Sequence, residues 1–92
     1  MFYKLVNKVP VPIENIAEAM EHLNAGGNTV KYDKLKGFVV STVLLVHHFS
    51  TEPTFETLVT YPYKREEIRR YKTYEDALSG HEYVVEKIKD LV

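Results

Sequence analysis

The sequence predicts an α+β domain, in which an antiparallel sheet of about four to five strands has two helices packed on one face. Two observations lead to this class. Apolar segments of strand length recur through the chain, and two other segments carry apolar residues at the spacing of an amphipathic helix. The chain has 92 residues, which is room for a single domain spanning residues 1–92.

The N-terminal part of the chain predicts a strand, a sheet margin and a helix. Phe2–Val6 has the composition of a short strand, and residues 9–12 are expected to be an extended edge, because their two prolines cannot donate to a ladder. Residues 13–23 have helical apolar spacing, and Gly26-Gly27 ends that segment. We expect one face of this helix to be buried, namely Ile13, Ile16, Ala17, Met20 and Leu23.

Four strands are predicted in the middle of the chain: Thr29–Leu35 and residues 38–46, 55–63 and 68–72. Residues 38–46 have apolar side chains at both odd and even positions, so both faces of this strand are apolar. This strand should therefore be central and covered on both faces. Two helices cannot easily cover both faces of a sheet in so short a chain. The second cover is therefore expected from another copy, which predicts a homo-oligomer.

A second helix is predicted from Thr73 onward. Thr73-Tyr74-Glu75-Asp76 has the form of a capping box, with acidic residues near the positive end of the helix dipole. The expected inner face of this helix comprises Tyr74, Ala77, Leu78, His81, Val84, Val85, Ile88 and Leu91.

Composition excludes several classes of function. The formal net charge of −1 argues against a protein that coats nucleic acid with a basic surface. The absence of cysteine removes disulfide scaffolds, thiolate metal sites and cysteine nucleophiles. No signal segment and no apolar run near the ~20 residues of a membrane span is present, so a cytoplasmic protein without membrane contact is expected. No phosphate loop, nucleophile elbow or metalloprotease motif occurs, so we expect no cofactor, no metal and no catalytic residue.

All three arginines fall within residues 65–70 and are flanked by tyrosines, which makes this the strongest candidate for ligand binding. An arginine fork recognises phosphate or carboxylate, and a tyrosine ring offers a face to a base or a sugar. In a strand, Arg69 and Tyr71 would face one way and Arg70 the other. The alternative is a solvated surface, because acidic residues nearly neutralise the segment: Glu66, Glu67, Glu75 and Asp76.

Three further places could carry chemistry, each with a structural alternative. His48 and Phe49 follow the central strand, where they are either a solvent-exposed loop tip or a ligand contact. His81 lies on the apolar face of the second helix, as a hydrogen-bonded core residue or as a polar group directed at a pocket. Glu56 shares a strand face with apolar residues, which favours a structural ion pair over a catalytic base.

Several segments, taken in order, resemble a family of small phage and prophage proteins. They are Ser41-Thr42-Val43, then His48 and Phe49, then Phe55-Glu56-Thr57, and then Arg70-Tyr71-Lys72-Thr73 with Gly80-His81. The resemblance implies a phage accessory product that acts by stoichiometric binding in the host cytoplasm. By analogy, some small phage proteins are oligomers that sequester nucleotide signals of host immunity.

The combined expectation is a non-enzymatic anti-defence protein that acts as a sponge. It would hold a cyclic nucleotide or an ADP-ribose derivative in a pocket formed by an oligomer. Two alternatives stay open: a small hydrolase or phosphodiesterase that uses histidine and glutamate, and a factor that assists protein interaction or nucleic-acid processes. The candidate ligand-binding residues are His48, Phe49, Glu56, Arg69, Arg70, Tyr71 and His81.

Overall fold

The computed structural model describes residues 2–46, 52–62 and 66–91. Six strands and two helices follow one another in these ranges: β1 (Phe2–Val6), β2 (Val9–Ile13), α1 (Ile16–Asn24), β3 (Thr29–Leu35), β4 (Phe38–Leu44), β5 (Phe55–Thr60), β6 (Glu66–Tyr71) and α2 (Tyr74–Leu91).

The sheet has four antiparallel strands in the order β3-β4-β5-β6, and β1 and β2 form a separate antiparallel hairpin. The α+β class and the antiparallel sheet predicted from the sequence are confirmed. Strand β4 lies in the interior of the sheet, as its apolar composition predicts. Asn7-Lys8 closes the β1–β2 hairpin with both residues at positive φ, which is the backbone of a two-residue turn that matches strand twist.

Helix α2 packs across one face of the sheet and builds the core there. Val40 and Val59 of the sheet meet Val84, Val85 and Ile88 of the helix, and all five are buried. Five members of the predicted inner face of α2 are buried: Ala77, His81, Val84, Val85 and Ile88. Leu91 differs from the prediction, since it is 72% exposed in the last turn of the helix.

Helix α1 differs from the prediction in its start and in its inner face. It begins at Ile16, because the side chain of Asn15 accepts hydrogen bonds from the backbone N–H groups of Ala17 and Glu18 and so caps the helix. The prediction of a buried Ile16 and Met20 is wrong: these side chains are 57% and 41% exposed, and Ala19 is the buried residue.

The position of α1 also departs from the expected pair of helices on one sheet face. Helix α1 packs against the β1–β2 hairpin, and α2 packs against the sheet. Residue 13 was expected in the helix, but it belongs to β2 and pairs with Phe2. The hairpin thus provides α1 with its own packing surface.

Asn28 joins the hairpin to the sheet. Its side chain is completely buried, and its Oδ1 accepts a hydrogen bond from the backbone N–H of Leu5 at 2.9 Å. Its Nδ2 donates to the carbonyl oxygens of Tyr3 at 3.3 Å and of Leu44 at 3.2 Å. One amide side chain therefore satisfies three backbone groups that belong to two different sheets.

The face of the sheet turned away from α2 is called the open face below. Strand register places on it Tyr32, Lys34, Val39, Ser41, Val43, Glu56, Leu58, Thr60, Glu66, Ile68 and Arg70. On β4, the residues facing α2 (Val40, Thr42 and Leu44) are completely buried, whereas the open-face residues Val39, Ser41 and Val43 are only half-buried.

Among the described residues, no helix is long and apolar enough to cross a membrane.

Candidate functional site

A cleft of about 250 Å³ lies where β6 ends, beside the segment that leads into β5. It is called the Arg70 cleft below, and its lining comprises Glu52, Pro53, Thr54, Arg70, Tyr71 and Lys72. Its lining carries two cationic side chains, Arg70 and Lys72, and one carboxylate, Glu52, while Glu56 pairs with Arg70 from outside the lining. Its volume is slightly below that of pockets for drug-sized ligands.

The guanidinium of Arg70 is anchored from the open face. Its Nε donates to Oε2 of Glu56 at 3.2 Å, and the Glu56 side chain is 20% exposed whereas that of Arg70 is 66% exposed. Within the described ranges, no acceptor engages the Nη atoms of Arg70, and Lys72 makes no ion pair. The anchored arginine can therefore present a two-pronged donor to an anion.

Tyr71 forms one wall of the Arg70 cleft and is held in place by a glycine. A Cβ atom built on Gly80 would overlap Cζ and the hydroxyl oxygen of Tyr71, so the ring lies directly against the α2 backbone. The Tyr71 hydroxyl is buried and has no hydrogen-bond partner in the part of the chain that the structure describes. Packing on Gly80, rather than a hydrogen bond, therefore fixes the ring.

Because Tyr71 packs on Gly80, the effect of Gly80→Ala on the free energy of unfolding should change sign when Tyr71 is replaced. Gly80→Ala alone is expected to lower the free energy of unfolding, because displacement of the ring outweighs the ~1 kcal/mol that alanine contributes to a helix. In a Tyr71→Ala background, the same change is expected to raise the free energy of unfolding by about 1 kcal/mol. Urea unfolding of the four proteins measures both effects, and an equal effect in both backgrounds would contradict the packing role of the glycine.

Arg69 lies on the other side of the sheet from Arg70. Its Nη2 and Nε donate to Glu67 at 2.9 and 3.1 Å, and its guanidinium lies 5.9 Å from the ring centroid of Tyr83. Strand alternation thus separates the two arginines, as the sequence analysis expects. Arg69 does not line the Arg70 cleft.

His81 is completely buried and lies in a chain of hydrogen bonds that crosses the core. Its Nδ1 is 2.7 Å from Oγ1 of Thr42, and its Nε2 is 2.7 Å from Oδ2 of Asp33. Oγ1 of Thr42 is also 2.5 Å from Oγ1 of Thr57. Both ring nitrogens therefore have partners within the protein, and the structure does not bring His81 to the Arg70 cleft.

If the imidazole of His81 is neutral, the donors and acceptors of these hydrogen bonds can be assigned in only one way. A carboxylate only accepts, so Nε2 carries the proton that is donated to Asp33, and Nδ1 accepts from the hydroxyl of Thr42. The oxygen of Thr42 then accepts from Thr57. The order threonine, histidine, aspartate is that of a hydrolytic triad, but the threonine hydroxyl is completely buried, so the arrangement offers no nucleophile to a substrate.

Two of the candidate residues, His48 and Phe49, lie outside the described residues, as does Arg65. The other five fall at three places. Arg70 and Tyr71 line the Arg70 cleft, and Glu56 is joined to it only through its ion pair with Arg70. Arg69 and His81 lie elsewhere. Within residues 2–46, 52–62 and 66–91, no group of three or more histidine or acidic side chains could hold a metal ion.

Four polar residues of the core network and of the contact between the two sheets are not among the candidates predicted from the sequence: Asn28, Asp33, Thr42 and Thr57. A signal for the two threonines was present, because each alternates with apolar residues at the inward positions of its strand. A polar residue at such a position needs a hydrogen-bond partner in the core, and His81 is the polar residue on the facing side of α2. Asn28 gave no comparable signal beyond its place after two glycines.

Comparison of this chain with protein-family models, with curated proteins and with solved structures gave no match.

Proposed function

We propose that this chain is a non-enzymatic binding protein that holds a phosphate-bearing small molecule of the nucleotide class in the Arg70 cleft. The observation that supports the proposal most directly is the arrangement of Arg70, Tyr71 and Lys72 around one cavity. These residues supply a planar fork for phosphate, an aromatic wall, and a second cation.

The ion pair with Glu56 supports binding by Arg70 rather than competing with it. Glu56 holds the guanidinium through Nε, so the terminal nitrogens stay available while the side chain loses conformational freedom before a ligand arrives. Such preorganisation lowers the entropic cost of binding. Charge-assisted hydrogen bonds to phosphate then provide the main favourable contribution.

Binding without turnover fits the described residues better than hydrolysis. His81 and its threonine neighbour Thr42 are completely buried, and only the Asp33 side chain, 31% exposed, reaches the surface. By analogy with the phage proteins that the sequence resembles, we propose that this binding serves anti-defence, where sequestration of a cyclic nucleotide or an ADP-ribose derivative in the host cytoplasm needs affinity but no catalysis. The same resemblance adds His48 and Phe49 to the proposed ligand contacts.

Arg70→Ala is expected to weaken nucleotide binding by about 10- to 100-fold, because it removes one or more charge-assisted hydrogen bonds. The test is calorimetric titration with a panel of cyclic mononucleotides, cyclic dinucleotides and ADP-ribose. Arg69→Ala is the matched control, since it removes the same side chain from the next position of β6 but from outside the cleft. Its affinity should equal that of the parent protein.

Chromatography of the ligand after prolonged incubation separates sequestration from catalysis, since the proposal requires the ligand to be recovered unchanged. The proposal is wrong if no panel member binds the parent protein at about 100 μM. Equal losses from Arg69→Ala and Arg70→Ala would contradict the location of the site.

A further inference from the structure

The open face combines apolar side chains in its middle with two charged side chains at one end. Register places Tyr32, Ser41, Leu58 and Ile68 side by side across the four strands, and Tyr32 and Ile68 are 58% and 54% exposed. Tyr32 and Ile68 lie on the two edge strands, and the half-buried side chains of Val39, Val43 and Leu58 lie on the strands between them. Apolar side chains exposed across one sheet face in this way are typical of an interaction surface.

The row at the end of the open face pairs opposite charges across the width of the sheet. It runs from Lys34 on β3 through Val39 and Thr60 to Glu66 on β6. Among the described residues, neither Lys34 nor Glu66 has an ion-pair partner. At the other end of the face, Arg70 is already neutralised within the chain by Glu56.

We propose that a second copy of this chain packs on the open face as an isologous dimer. The two-fold axis lies between the two sheets and runs parallel to their strands. This rotation places β3 of one copy over β6 of the other. Each cross-strand row of residues keeps its position along the strand direction, so it faces the same row of the other copy. Lys34 then faces Glu66 of the second copy twice, and Tyr32 packs on Ile68 twice, so the surface is complementary to itself.

The alternative axis, perpendicular to the strands, would place β3 over β3 and β6 over β6. Lys34 would then have no carboxylate opposite it, and Glu66 would face an arginine that Glu56 already engages. The distribution of unpaired charge therefore favours the axis parallel to the strands. Aligned packing of this kind is ordinary for two sheets whose inner faces are about 10 Å apart.

The dimensions of the sheet set the expected strength of the dimer. Four strands spaced about 4.8 Å apart, each with six or seven residues at about 3.3 Å, present roughly 400 Å² in projection. Counted on both copies, this is about 800 Å², which is below the roughly 1,200 Å² of stable complexes and is typical of weak, transient association. We therefore expect a reversible dimer with a dissociation constant in the micromolar range.

Sedimentation equilibrium of the ligand-free protein tests the dimer directly. From about 1 μM to about 1 mM protein, the apparent mass should rise from 10.7 kDa toward twice that value. Ile68→Asp and Tyr32→Asp should each weaken association at least about 10-fold, because each places a charge against an apolar side chain of the other copy at two symmetric positions. A monomer at every concentration would overturn the proposal.

Ile16→Asp is the matched control, because Ile16 is 57% exposed but lies on α1, away from the sheet. It should leave association unchanged. A dimer that Ile68→Asp and Tyr32→Asp do not affect, or that Ile16→Asp disrupts equally, would show that the copies meet elsewhere.

A charge exchange tests the direction of the axis. Lys34→Glu alone and Glu66→Lys alone should each weaken association about five- to tenfold, because each puts like charges opposite one another at two symmetric positions. An equimolar mixture of the two variants should recover association close to that of the parent protein, as heterodimers with both ion pairs restored. Failure of the mixture to recover would overturn the proposed arrangement, even if the parent protein dimerises.

Discussion

Replacement of Asn28 by alanine is expected to lower the free energy of unfolding by about 3 kcal/mol. The change removes three hydrogen bonds at once and leaves the backbone N–H of Leu5 and the carbonyls of Tyr3 and Leu44 without their side-chain partner. Each buried backbone group left unpaired costs about 1–3 kcal/mol. Total stability of a small domain is about 5–15 kcal/mol, so this loss is a substantial part of it.

Urea unfolding measures this loss, and hydrogen exchange locates it. The amide of Leu5 should exchange faster in the Asn28→Ala variant, because its acceptor is gone. Asn24→Ala is the control, since Asn24 is exposed at the end of α1 and its replacement should change stability by less than about 0.5 kcal/mol. Equal effects of the two substitutions would contradict the bridging role of Asn28.

His81→Leu is expected to lower the free energy of unfolding by about 2–3 kcal/mol. Leucine can fill the completely buried position, but Thr42 loses an acceptor and Asp33 loses a donor. Thr57→Val should lower the free energy of unfolding by only about 1 kcal/mol, because Thr57 contributes a single hydrogen bond at the end of the hydrogen-bond network. The order of the two losses reflects the number of partners that each side chain satisfies.

A double-mutant cycle distinguishes this network from independent packing effects. His81→Leu and Thr42→Val remove the two ends of the same hydrogen bond, so their combined loss in urea unfolding should be smaller than the sum of the single losses. Ser79→Ala, at an exposed position of α2 two residues away, should be nearly neutral. Additive losses for His81 and Thr42 would show that the hydrogen bond between them contributes little.

The sheet and α2 could be predicted from the sequence because their signals are local. The apolar run in residues 38–44 and the spacing from Ala77 to Ile88 each describe a surface that must be covered. The start of α1 could not be predicted in the same way. Helical spacing extended back to Ile13, and only the capping hydrogen bonds of Asn15 and the pairing of Ile13 with Phe2 set the actual boundary.

The candidate site was predictable only where strand alternation determines it. Alternation alone places Arg69 and Arg70 on opposite faces, and this is what the structure has. The contact of Tyr71 with Gly80 and the hydrogen bond between Thr42 and His81 depend on how α2 crosses the sheet. The latter joins residues 39 positions apart, a distance over which no local pattern is informative.

The order of the strands also has a consequence for the speed of folding. Each strand of the sheet pairs with its neighbour in the chain, and the β3–β4 connection is only Lys36-Gly37, both at positive φ. Closing such short loops costs little chain entropy, and domains dominated by local pairings reach their transition state quickly. The docking of α2 onto β3 is different, because it brings together His81 and Asp33, which lie 48 positions apart. It is the long-range step of folding that the chain must add to the formation of these local hairpins.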